Sequence, residues 1–352
     1  MKELAILELV GDDLQRVEQK MQSMGEGAYR PLAQAFLQLL GSGGKRLRPA
    51  LALAAYDLVR DPVSSGDQRK AISLAAAVET LHNATLVHDD LIDNALRRRG
   101  STTLNAIWDK GATVLAGDYL FARAAGFAAE TENIRVVQLF ADTLRIICEG
   151  ELRQHFSSRQ WEQSKDSYYA RIFAKTASLF ASASRSGAIL AGASEEAEEA
   201  LSDYGRSVGM AFQIVDDVLD YTGDESVMGK PVGGDLRQGI VTLPFFYYVQ
   251  SHPNPAEVVA KLAGSSPLRA PDSTPPTGRD SAPLTERDSA NGSVAGVDEV
   301  VAEVRASDAI SQALSEARGF AGQAKACLAL FPPSPIREAL QELAEFIVAR
   351  HV

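Results

Sequence analysis

The chain has 352 residues, with 35 Lys and Arg against 46 Asp and Glu, a formal net charge of -11 and two cysteines. The length is ample for a sizeable core, and the negative charge excludes a general nucleic-acid binder, which needs a broad phosphate-neutralising surface. Two cysteines provide neither a disulfide framework nor a zinc site, so a reducing cytoplasm is the expected location. The N-terminus is not typical of a secretory signal, and no apolar run approaches the length of a membrane span.

Two amphipathic helices are predicted at the start of the chain, over residues 7–21 and 29–39, because apolar residues recur there at helical spacing. The segment GSGGKRLRP then joins a glycine-rich turn to a helix that begins near Pro49, and Lys45, Arg46 and Arg48 lie at the junction. Glycines let the backbone approach an anion and a helix start adds amide donors, so the segment could bind phosphate. Taken alone, it is better explained as a basic loop that caps a helix.

Residues 81–100, LHNATLVHDDLIDNALRRRG, are predicted to form a largely buried helix that carries Asp89, Asp90 and Asp93, here called the first acidic cluster. The spacings of three and four residues place the carboxylates on one helix face, where they repel one another unless a cation lies between them. Oxygen ligands without a nearby Cys, and with His88 expected to face elsewhere, favour magnesium over zinc or copper. The Arg97–Arg99 run is expected at the helix end, either as partners of the helix dipole or as a phosphate clamp.

Three further helices are predicted over residues 112–130, 135–156 and 167–192. The second carries Glu149, Glu151 and Gln154 as polar interruptions, either hydrogen-bonded core groups or ligands. The third carries Lys175 and Thr176 among small and apolar residues. A lysine in such surroundings either extends to the surface or binds a buried anion, and the neighbouring acidic cluster favours the second interpretation.

The second acidic cluster, Asp216, Asp217 and Asp220, repeats the spacing of the first on a helix predicted from Ser194, as its N-cap, to about Tyr221. Gln213 shares its face. One such cluster could be a solvated patch, but two within apolar helical sequence argue against that, because unpaired buried charge is costly. The glycine-rich segment that follows holds Lys230, Asp235 and Arg237 and is predicted to be a mobile loop over a site.

Residues 264–297 are rich in proline and serine and are predicted to be a disordered surface loop. The last helix is predicted to begin at Ser334 and Pro335. No strand is predicted, so the fold class is all-α: one domain over residues 1–352, built as a helical bundle around a deep central cavity.

The two acidic clusters, several magnesium ions and separate basic groups together imply a diphosphate substrate, and the apolar helices imply that the rest of the substrate is hydrocarbon. No phosphate loop of the GxxxxGK type is present to support the usual phosphotransferase chemistry, and no Ser/His/Asp or Cys/His arrangement suggests a nucleophile. The remaining chemistry is metal-assisted departure of the diphosphate, which leaves a carbocation in an apolar pocket.

The motifs GGKRLRP, HDDLID, RRRG, GDYLFARA, EGELRQ, AKTASLF, FQIVDDVLD and GDLRQG occur in this order, and the series resembles the trans-isoprenyl diphosphate synthases. That family makes farnesyl, geranylgeranyl and longer polyprenyl diphosphates on an all-α fold that is usually homodimeric. The resemblance implies that isopentenyl diphosphate condenses with an allylic diphosphate by ionisation, attack of the isopentenyl double bond and loss of a proton to the released diphosphate.

The resemblance also assigns roles to particular residues. It places three Mg²⁺ between the two acidic clusters. The allylic diphosphate would contact Arg98, Lys175, Thr176, Gln213 and Lys230, and isopentenyl diphosphate would contact Lys45, Arg48, His82 and Arg99. The residues expected to take part in catalysis are Asp89, Asp93, Lys175, Asp216 and Lys230.

One departure from the family pattern is Ile240, which follows Gly239 where members commonly carry lysine; Lys230 and Arg237 are expected to compensate. Product length is expected to depend on Ala84 and Thr85, where short-chain members carry aromatic residues. Small side chains there predict an open shaft and a product of at least twenty carbons, with thirty or more expected. Phe140 is a candidate for the floor of the shaft. A product that stops at twenty carbons would place the floor higher, toward Leu81.

Two alternatives share part of this pattern. A class I terpene cyclase has the first acidic motif, but normally carries an Asn/Ser/Glu-type second motif and lacks the isopentenyl pocket. A partner subunit of a heteromeric prenyl synthase normally loses the aspartates, whereas both clusters are intact here. A purely structural helical protein would gain nothing from six clustered carboxylates.

Overall fold

A computed structural model describes residues 4–41, 43–61, 67–98, 100–223, 232–263 and 294–350. Almost every element in these ranges is helical, so the predicted all-α class is confirmed. The helices are α1 Ala5–Leu9, α2 Gly11–Gln22, α3 Arg30–Gly41, α4 Leu47–Val59, α5 Gln68–Ile92, α6 Lys110–Ala129, α7 Ile134–Ser157, α8 Lys165–Ile172, α9 Ser178–Leu190, α10 Glu195–Thr222, α11 Gly234–Arg237, α12 Leu243–Ser251, α13 Pro255–Ala263, α14 Val294–Ala306, α15 Ala309–Cys327 and α16 Pro335–Ala349.

Helix α5 is the most buried long element on the side of the molecule that carries the first acidic cluster. It begins where the side chain of Asp67 accepts a hydrogen bond from the amide of Arg69, as an N-cap should. Runs of alanine along it, including Ala75, Ala76 and Ala77, are completely buried, because α4 and α6 pack closely against its sides. The cluster is therefore mounted on a rigid, fully packed support.

The predicted end of this helix is wrong. Helix α5 ends at Ile92, and Asn94 takes the left-handed conformation with φ of 50°. The amide of Ala95 then donates to the carbonyl of Asp90 (2.8 Å), and that of Asn94 to Leu91 (3.3 Å). This pair of hydrogen bonds is a Schellman motif, which satisfies the last carbonyls of a helix and stops it.

The arginine run consequently lies beyond the helix and in a different structure from the one predicted. Arg97–Arg98 form a short strand, β1, which pairs antiparallel with β2, Ser101–Thr102, so the prediction of no strands fails here. Residue 99 lies outside the described residues. The hairpin brings Arg98 back over the first acidic cluster instead of leaving it at a helix end.

The helix predicted over residues 167–192 is interrupted by a π turn at Phe173–Ala177, between α8 and α9. The extra residue of a π turn shifts the helical register, so the side chains that follow it face directions that a regular helix would not give them. Lys175 and Thr176 both lie in this turn. Such turns are often found at functional sites.

Helices α10 and α16 carry the second acidic cluster and the C-terminal residues, and both begin as predicted. Ser194 caps α10 by accepting from the amide of Ala197, and Ser334 caps α16 by accepting from the amide of Arg337. Helix α10 packs against α9, α15 and α16. The C-terminal helix is thereby held beside Asp216.

Two other predictions fall partly outside the described residues. Most of the predicted loop 264–297, and residues 224–231 with Lys230, are not described. Helix α14 begins at Val294, so the last four residues of the predicted loop are helical instead.

Across the described part of the chain, no helix has the length and apolar character needed to cross a bilayer.

Candidate active site

A cavity of about 750 Å³ opens beside the first acidic cluster, between α5, α6 and α7. Its wall is mostly apolar, with carboxylates and one lysine at one end. The lining residues are Thr85, His88, Asp89, Ile92, Asp93, Phe121, Ile147, Cys148, Glu151, Leu152, Gln154, His155, Ser158, Lys175, Gln238 and Ile240. A pocket of this size and composition can take a substrate with a charged head and a hydrocarbon body.

The three aspartates of the first cluster have different surroundings. Asp89 and Asp93 line the cavity, whereas Asp90 is buried and its Oδ1 accepts from Nε of Arg98 at 2.8 Å. Burial raises the pKa of Asp90, and the positive charge of Arg98 opposes that rise. In this structure Arg98 therefore orients Asp90, and the Asp90 carboxylate is not part of the cavity wall.

Lys175 is the positive charge at the acidic end of the cavity. Its Nζ lies 3.0 Å from Oε1 of Glu151. Burial alone would lower the pKa of Lys175, but Glu151 and Asp89 outweigh burial and raise it. The ammonium therefore stays protonated at neutral pH and can bind an anion.

Asp89 is a largely buried carboxyl group with charges of both signs beside it. Its pKa is raised to about 6, mainly by burial and to a smaller extent by Glu151 and Asp93, while Lys175 and Arg98 act to lower it. A divalent cation at this point would stabilise the ionised form of Asp89, because an opposite charge favours the ionised carboxylate.

A chain of hydrogen bonds connects the π turn with the second acidic cluster. Thr176 Oγ1 donates to Oε1 of Gln213 (2.6 Å), and Nε2 of Gln213 donates to Oδ1 of Asp217 (2.8 Å). The hydroxyl of Tyr168 donates to Oδ2 of Asp217 (2.8 Å). Burial, together with the charge of Asp235, raises the pKa of Asp217 to about 7, while Gln213 and Tyr168 oppose the rise. Thr176, Gln213 and Asp217 were predicted site residues, whereas Tyr168 was missed.

The other two aspartates of the second cluster are also held by neighbours. Oδ2 of Asp220 accepts from the amide of Asp235 (3.0 Å), and Oδ1 of Asp216 accepts from Nη2 of Arg350 (2.6 Å). The charge of Asp235 raises the pKa of both Lys175 and Asp217. Asp235 is thus close enough to Lys175 of the π turn and to Asp217 of the second acidic cluster to affect the pKa of both.

The site fits hard divalent cations in its donor chemistry. Its carboxylates supply only oxygen ligands, and burial raises the pKa values of Asp89 and Asp217, so a bound cation would stabilise their ionised forms. Among the described residues, no group of three or more His, Cys, Asp or Glu side chains converges on a single point. The carboxylates would therefore draw together around cations rather than form a closed cage beforehand.

The basic residues predicted to bind isopentenyl diphosphate lie near α16 and α9. Lys45 Nζ is 4.6 Å from the centre of the Phe346 ring, and the guanidinium of Arg48 is 4.7 Å from that of Phe180. Burial lowers the pKa of Lys45 and Arg350 lowers it further, while Asp216 acts in the opposite direction. His82 is half-buried on α5.

Arg46, in the same glycine-rich segment, has a structural role. Its guanidinium donates to Glu79 (2.7 Å), Glu18 (3.3 Å) and the carbonyl of Leu40 (2.8 Å). Arg46 itself has φ of 49°, and Gly43 has φ of 78°. The arginine thus fixes the conformation of the loop that carries Lys45 and Arg48.

The residues expected to set product length separate into two groups. Thr85 lines the cavity, whereas Leu81, Ala84 and Phe140, all within the described residues, are buried in the core away from its wall. Phe121 and Ile147 line the cavity and were not predicted. A sequence gives no direct signal for them, because their helices were predicted without an orientation relative to α5.

Two other expectations can be compared with the structure. His88 was expected to face elsewhere and does not: it lines the cavity, with Nε2 3.1 Å from the carbonyl of Val114. Ile240 lines the cavity, whereas Arg237, expected to compensate for it, donates to the carbonyl of Val232 and pairs with Asp298 on α14. Lys230 and Arg99 lie outside the described residues.

Comparison with known proteins places this arrangement in context. The polyprenyl synthetase family model matches residues 30–272. The heptaprenyl diphosphate synthase component 2 of Geobacillus stearothermophilus is 36% identical over 99% of this chain and 99% of its own. The octaprenyl diphosphate synthase of Escherichia coli is 32% identical over 98% of this chain and 94% of its own.

Solved structures agree with the sequence relatives. A polyprenyl synthase from Caulobacter crescentus, complexed with calcium and isoprenyl diphosphate, is 35% identical with a TM-score of 0.84, covering 99% of this chain and 98% of that one. The heptaprenyl diphosphate synthase from Staphylococcus aureus is 30% identical with a TM-score of 0.84, covering 97% and 99%.

Proposed function

The chain belongs to the polyprenyl synthetase family and is a polyprenyl diphosphate synthase, a prenyltransferase, and on this premise we propose a specific reaction for it. Isopentenyl diphosphate condenses with an allylic diphosphate, in the presence of Mg²⁺, to give a long all-trans polyprenyl diphosphate. The observation that carries the proposal is the protonated Lys175 beside Asp89 and Glu151, at the acidic end of an apolar cavity.

The residues at the acidic end would bind the leaving diphosphate. Asp89, Asp90, Asp93, Asp216, Asp217 and Asp220 would hold Mg²⁺, which would neutralise the charge that develops on the departing diphosphate. Lys175 would bind a diphosphate oxygen directly, because its ammonium is fixed at the cavity wall by Glu151. Thr176 and Gln213 would orient Asp217 through their chain of hydrogen bonds. Arg98 would keep Asp90 in place, and Lys230 would complete the allylic site.

The apolar wall would protect the reactive carbon. When the allylic carbon–oxygen bond breaks, the bonding electrons leave with the diphosphate and an allylic cation remains. Ile92, Phe121, Ile147 and Leu152 line the cavity and would exclude water from that cation, while the ring face of Phe121 would favour positive charge. The isopentenyl double bond then forms the new carbon–carbon bond, and a proton passes to the released diphosphate. Isopentenyl diphosphate would be held by Lys45, Arg48, His82 and Arg99.

The cavity supports a long product. Thr85, one helical turn before Asp89, places a small side chain on the wall. The relatives include enzymes named for heptaprenyl, octaprenyl and solanesyl products. We therefore propose a product of at least twenty carbons, with thirty or more expected.

The decisive experiment is incubation of the purified chain with radiolabelled isopentenyl diphosphate, Mg²⁺ and farnesyl or geranylgeranyl diphosphate, with products separated by carbon number. A ladder of products that disappears with a chelator supports the proposal. Asp89→Asn should abolish elongation. The matched control is Asp142→Asn, because Asp142 is an exposed acid that pairs only loosely with Arg145, at 3.6 Å. Absence of incorporation with either primer would contradict the proposal.

We propose that the enzyme is a homodimer in the cytoplasm, as the family resemblance implies. Helix α6 presents Val114 and Leu115 to solvent, 40% and 68% exposed, and Ala122, Ala125 and Gly126 continue the same face. One relative is named as component 2 of its enzyme, which favours a second arrangement in which the chain acts with a different subunit. Activity of the purified chain alone would exclude a requirement for that subunit.

A further inference from the structure

The C-terminal end of α16 delivers an arginine to the second acidic cluster. Nη2 of Arg350 lies 2.6 Å from Oδ1 of Asp216 and 2.8 Å from the carbonyl oxygen of Phe212. Its guanidinium is 3.9 Å from the centre of the Phe212 ring. The side chain of Arg350 is only 15% exposed, whereas that of Asp216 is 40% exposed. The arginine therefore covers the aspartate on one side and leaves its other side exposed.

The position of Arg350 follows from the packing of its helix. Leu340, Leu343 and Ile347 of α16 are completely buried, and the hydroxyl of Tyr204 on α10 donates to the carbonyl of Leu340 at 2.7 Å. These contacts fix α16 against α10, but Arg350 lies beyond its last helical residue, Ala349. Its side chain can consequently move while the helix stays in place.

A second cation lies close to the first. Lys45 Nζ contacts the ring of Phe346, one turn before Arg350 on the C-terminal segment. The positive charge of Arg350 adds to burial in lowering the pKa of Lys45, and Asp216 opposes both. Lys45 and Arg350 therefore share the field of one carboxylate, and their mutual repulsion favours departure of Arg350 once another cation neutralises Asp216.

We propose that Arg350 is an internal cation which occupies Asp216 when no metal is bound, and that it leaves Asp216 when a divalent cation binds there. A guanidinium hydrogen-bonded to the carboxylate and a divalent cation coordinated by the same oxygen exclude each other, because both need its lone pairs and both are positive. Arg350 thus lowers the metal affinity of the second cluster and couples metal binding to release of its own side chain from Asp216. This inference rests on the proposed function in that Asp216 is taken as a metal ligand.

The first test is calorimetric titration of the full chain with Mg²⁺ alone, comparing wild type with Arg350→Gln. Removal of the competing cation should tighten Mg²⁺ binding by about 2- to 5-fold, the range expected from loss of one partly exposed ion pair. Arg350→Lys retains the charge and should stay close to wild type. Lys325→Gln removes the same charge from a surface pair with Glu345 (2.9 Å) and should leave the affinity unchanged. Unchanged or weaker Mg²⁺ binding by Arg350→Gln would overturn the proposal.

The second test uses the wild-type chain and so does not depend on the folding of a variant. Phenylglyoxal modifies exposed arginines, and the modification of Arg350 can be followed by peptide mass spectrometry. Addition of Mg²⁺ should accelerate modification of Arg350. Arg337 donates to the carbonyl of Phe331 at the other end of α16, and its rate of modification should be the same with and without Mg²⁺. A rate at Arg350 that stays constant or falls with Mg²⁺ would overturn the proposal.

If the proposed function itself is wrong, the Mg²⁺ titration gives a result different from those described above. A wild-type chain that binds no divalent cation in the titration would remove the assigned role of Asp216, and the inference about Arg350 would fall with it. Normal Mg²⁺ binding and elongation, with no effect of Arg350→Gln on affinity, would overturn the inference alone.

Discussion

Asp217 combines complete hydrogen bonding with an unfavourable charge. Both of its oxygens accept hydrogen bonds, from Gln213 and Tyr168, yet burial and the neighbouring Asp235 raise its pKa to about 7. The hydrogen bonds set the direction of the carboxylate, and the burial makes its ionised form costly until a cation arrives. As a proposed metal ligand, Asp217 would be oriented in advance and would gain its full charge only when the cation binds.

The first prediction concerns the stability of the metal-free protein as a function of pH. The pKa of Asp217 is raised in the folded state above its usual value near 4, so between about pH 4 and 7 the folded state retains a proton that the unfolded chain has released. The free energy of unfolding should therefore fall as pH rises through this range. Asp89, with a pKa of about 6, contributes in the same direction.

Urea unfolding in the presence of a chelator, at pH 5 and pH 8, measures this effect. Asp217→Asn should reduce the loss of stability between the two pH values by on the order of 2 kcal/mol. Asp142→Asn, a change at an exposed acid, should leave the loss as in wild type. Equal losses in wild type and Asp217→Asn would contradict the assignment of the raised pKa to Asp217.

The second prediction separates two adjacent residues that the sequence treats alike. Thr85→Phe should place a ring in the cavity and shorten the product by at least one five-carbon unit, because Thr85 lines the wall. Ala84→Phe was also expected from the sequence to shorten the product, but Ala84 is completely buried in the core. It should instead cost roughly 1–3 kcal/mol of stability through overpacking.

Mass spectrometry of the products gives the product length of each variant, and urea unfolding gives its stability. Together they distinguish the two variants. An unchanged product length in Thr85→Phe would show that elongation does not pass this part of the wall. Retention of full stability in Ala84→Phe would show that the packing around α5 is looser than the structure indicates.

At the scale of elements, the contact between α7 and the π turn fixes the position of Lys175. A side chain at Gly150 would overlap the Cβ of Ala174, so the glycine allows the two backbones to approach each other. Glu151, the next residue, holds the ammonium of Lys175. The close approach therefore has a direct effect on the charged end of the cavity.

The third prediction is that Gly150→Ala separates these elements. It should lower stability by roughly 1–3 kcal/mol and reduce kcat/KM, because Lys175 would move relative to Asp89. Gly322→Ala on α15 is the matched control: nothing lies within 4 Å of a Cβ there, and the change should stabilise by about 0.5–1 kcal/mol. Urea unfolding measures the stability of each variant, and steady-state kinetics measure its kcat/KM. The same response from both glycines would disprove the role of the close contact.

The elements also show how far the sequence could predict this structure. Helix starts at Ser194 and Ser334 were predictable, because capping depends on a few neighbouring residues. The end of α5 had a local signal, Asn94, that hydrophobic spacing concealed. The π turn had none, since it depends on the packing of α7 and α10 against it.

The same distinction applies to the site. The acidic clusters, Lys175, Thr176 and Gln213 were predictable because their residue types and spacings are unusual within apolar helices. Tyr168, Phe121 and Arg350 were not predictable, since each reaches the site only through tertiary packing. Arg350 in particular is far from Asp216 in the chain, and nothing in its local sequence indicates a partner.

At the scale of the whole molecule, the exposed apolar face of α6 predicts self-association. The fourth prediction is that Leu115→Arg converts the proposed homodimer to a monomer, because a charge would be buried without a partner in the interface. Leu330→Arg is the matched control, since Leu330 is also exposed, at 46%, but lies elsewhere. Light scattering after size-exclusion chromatography gives the mass directly. A dimer that persists in Leu115→Arg would place the interface on another face.

Cys148 provides a position on the cavity wall for a fluorescent label. It is an exposed thiol on the cavity wall, and the chain's other cysteine, Cys327, is partly covered and lies on α15. Burial and Glu151 raise the pKa of the Cys148 thiol, so labelling would need mildly alkaline conditions. A fluorophore attached there, with Cys327 replaced by serine, would sense the growing hydrocarbon from inside the pocket. Elongation could then be followed optically as each five-carbon unit is added.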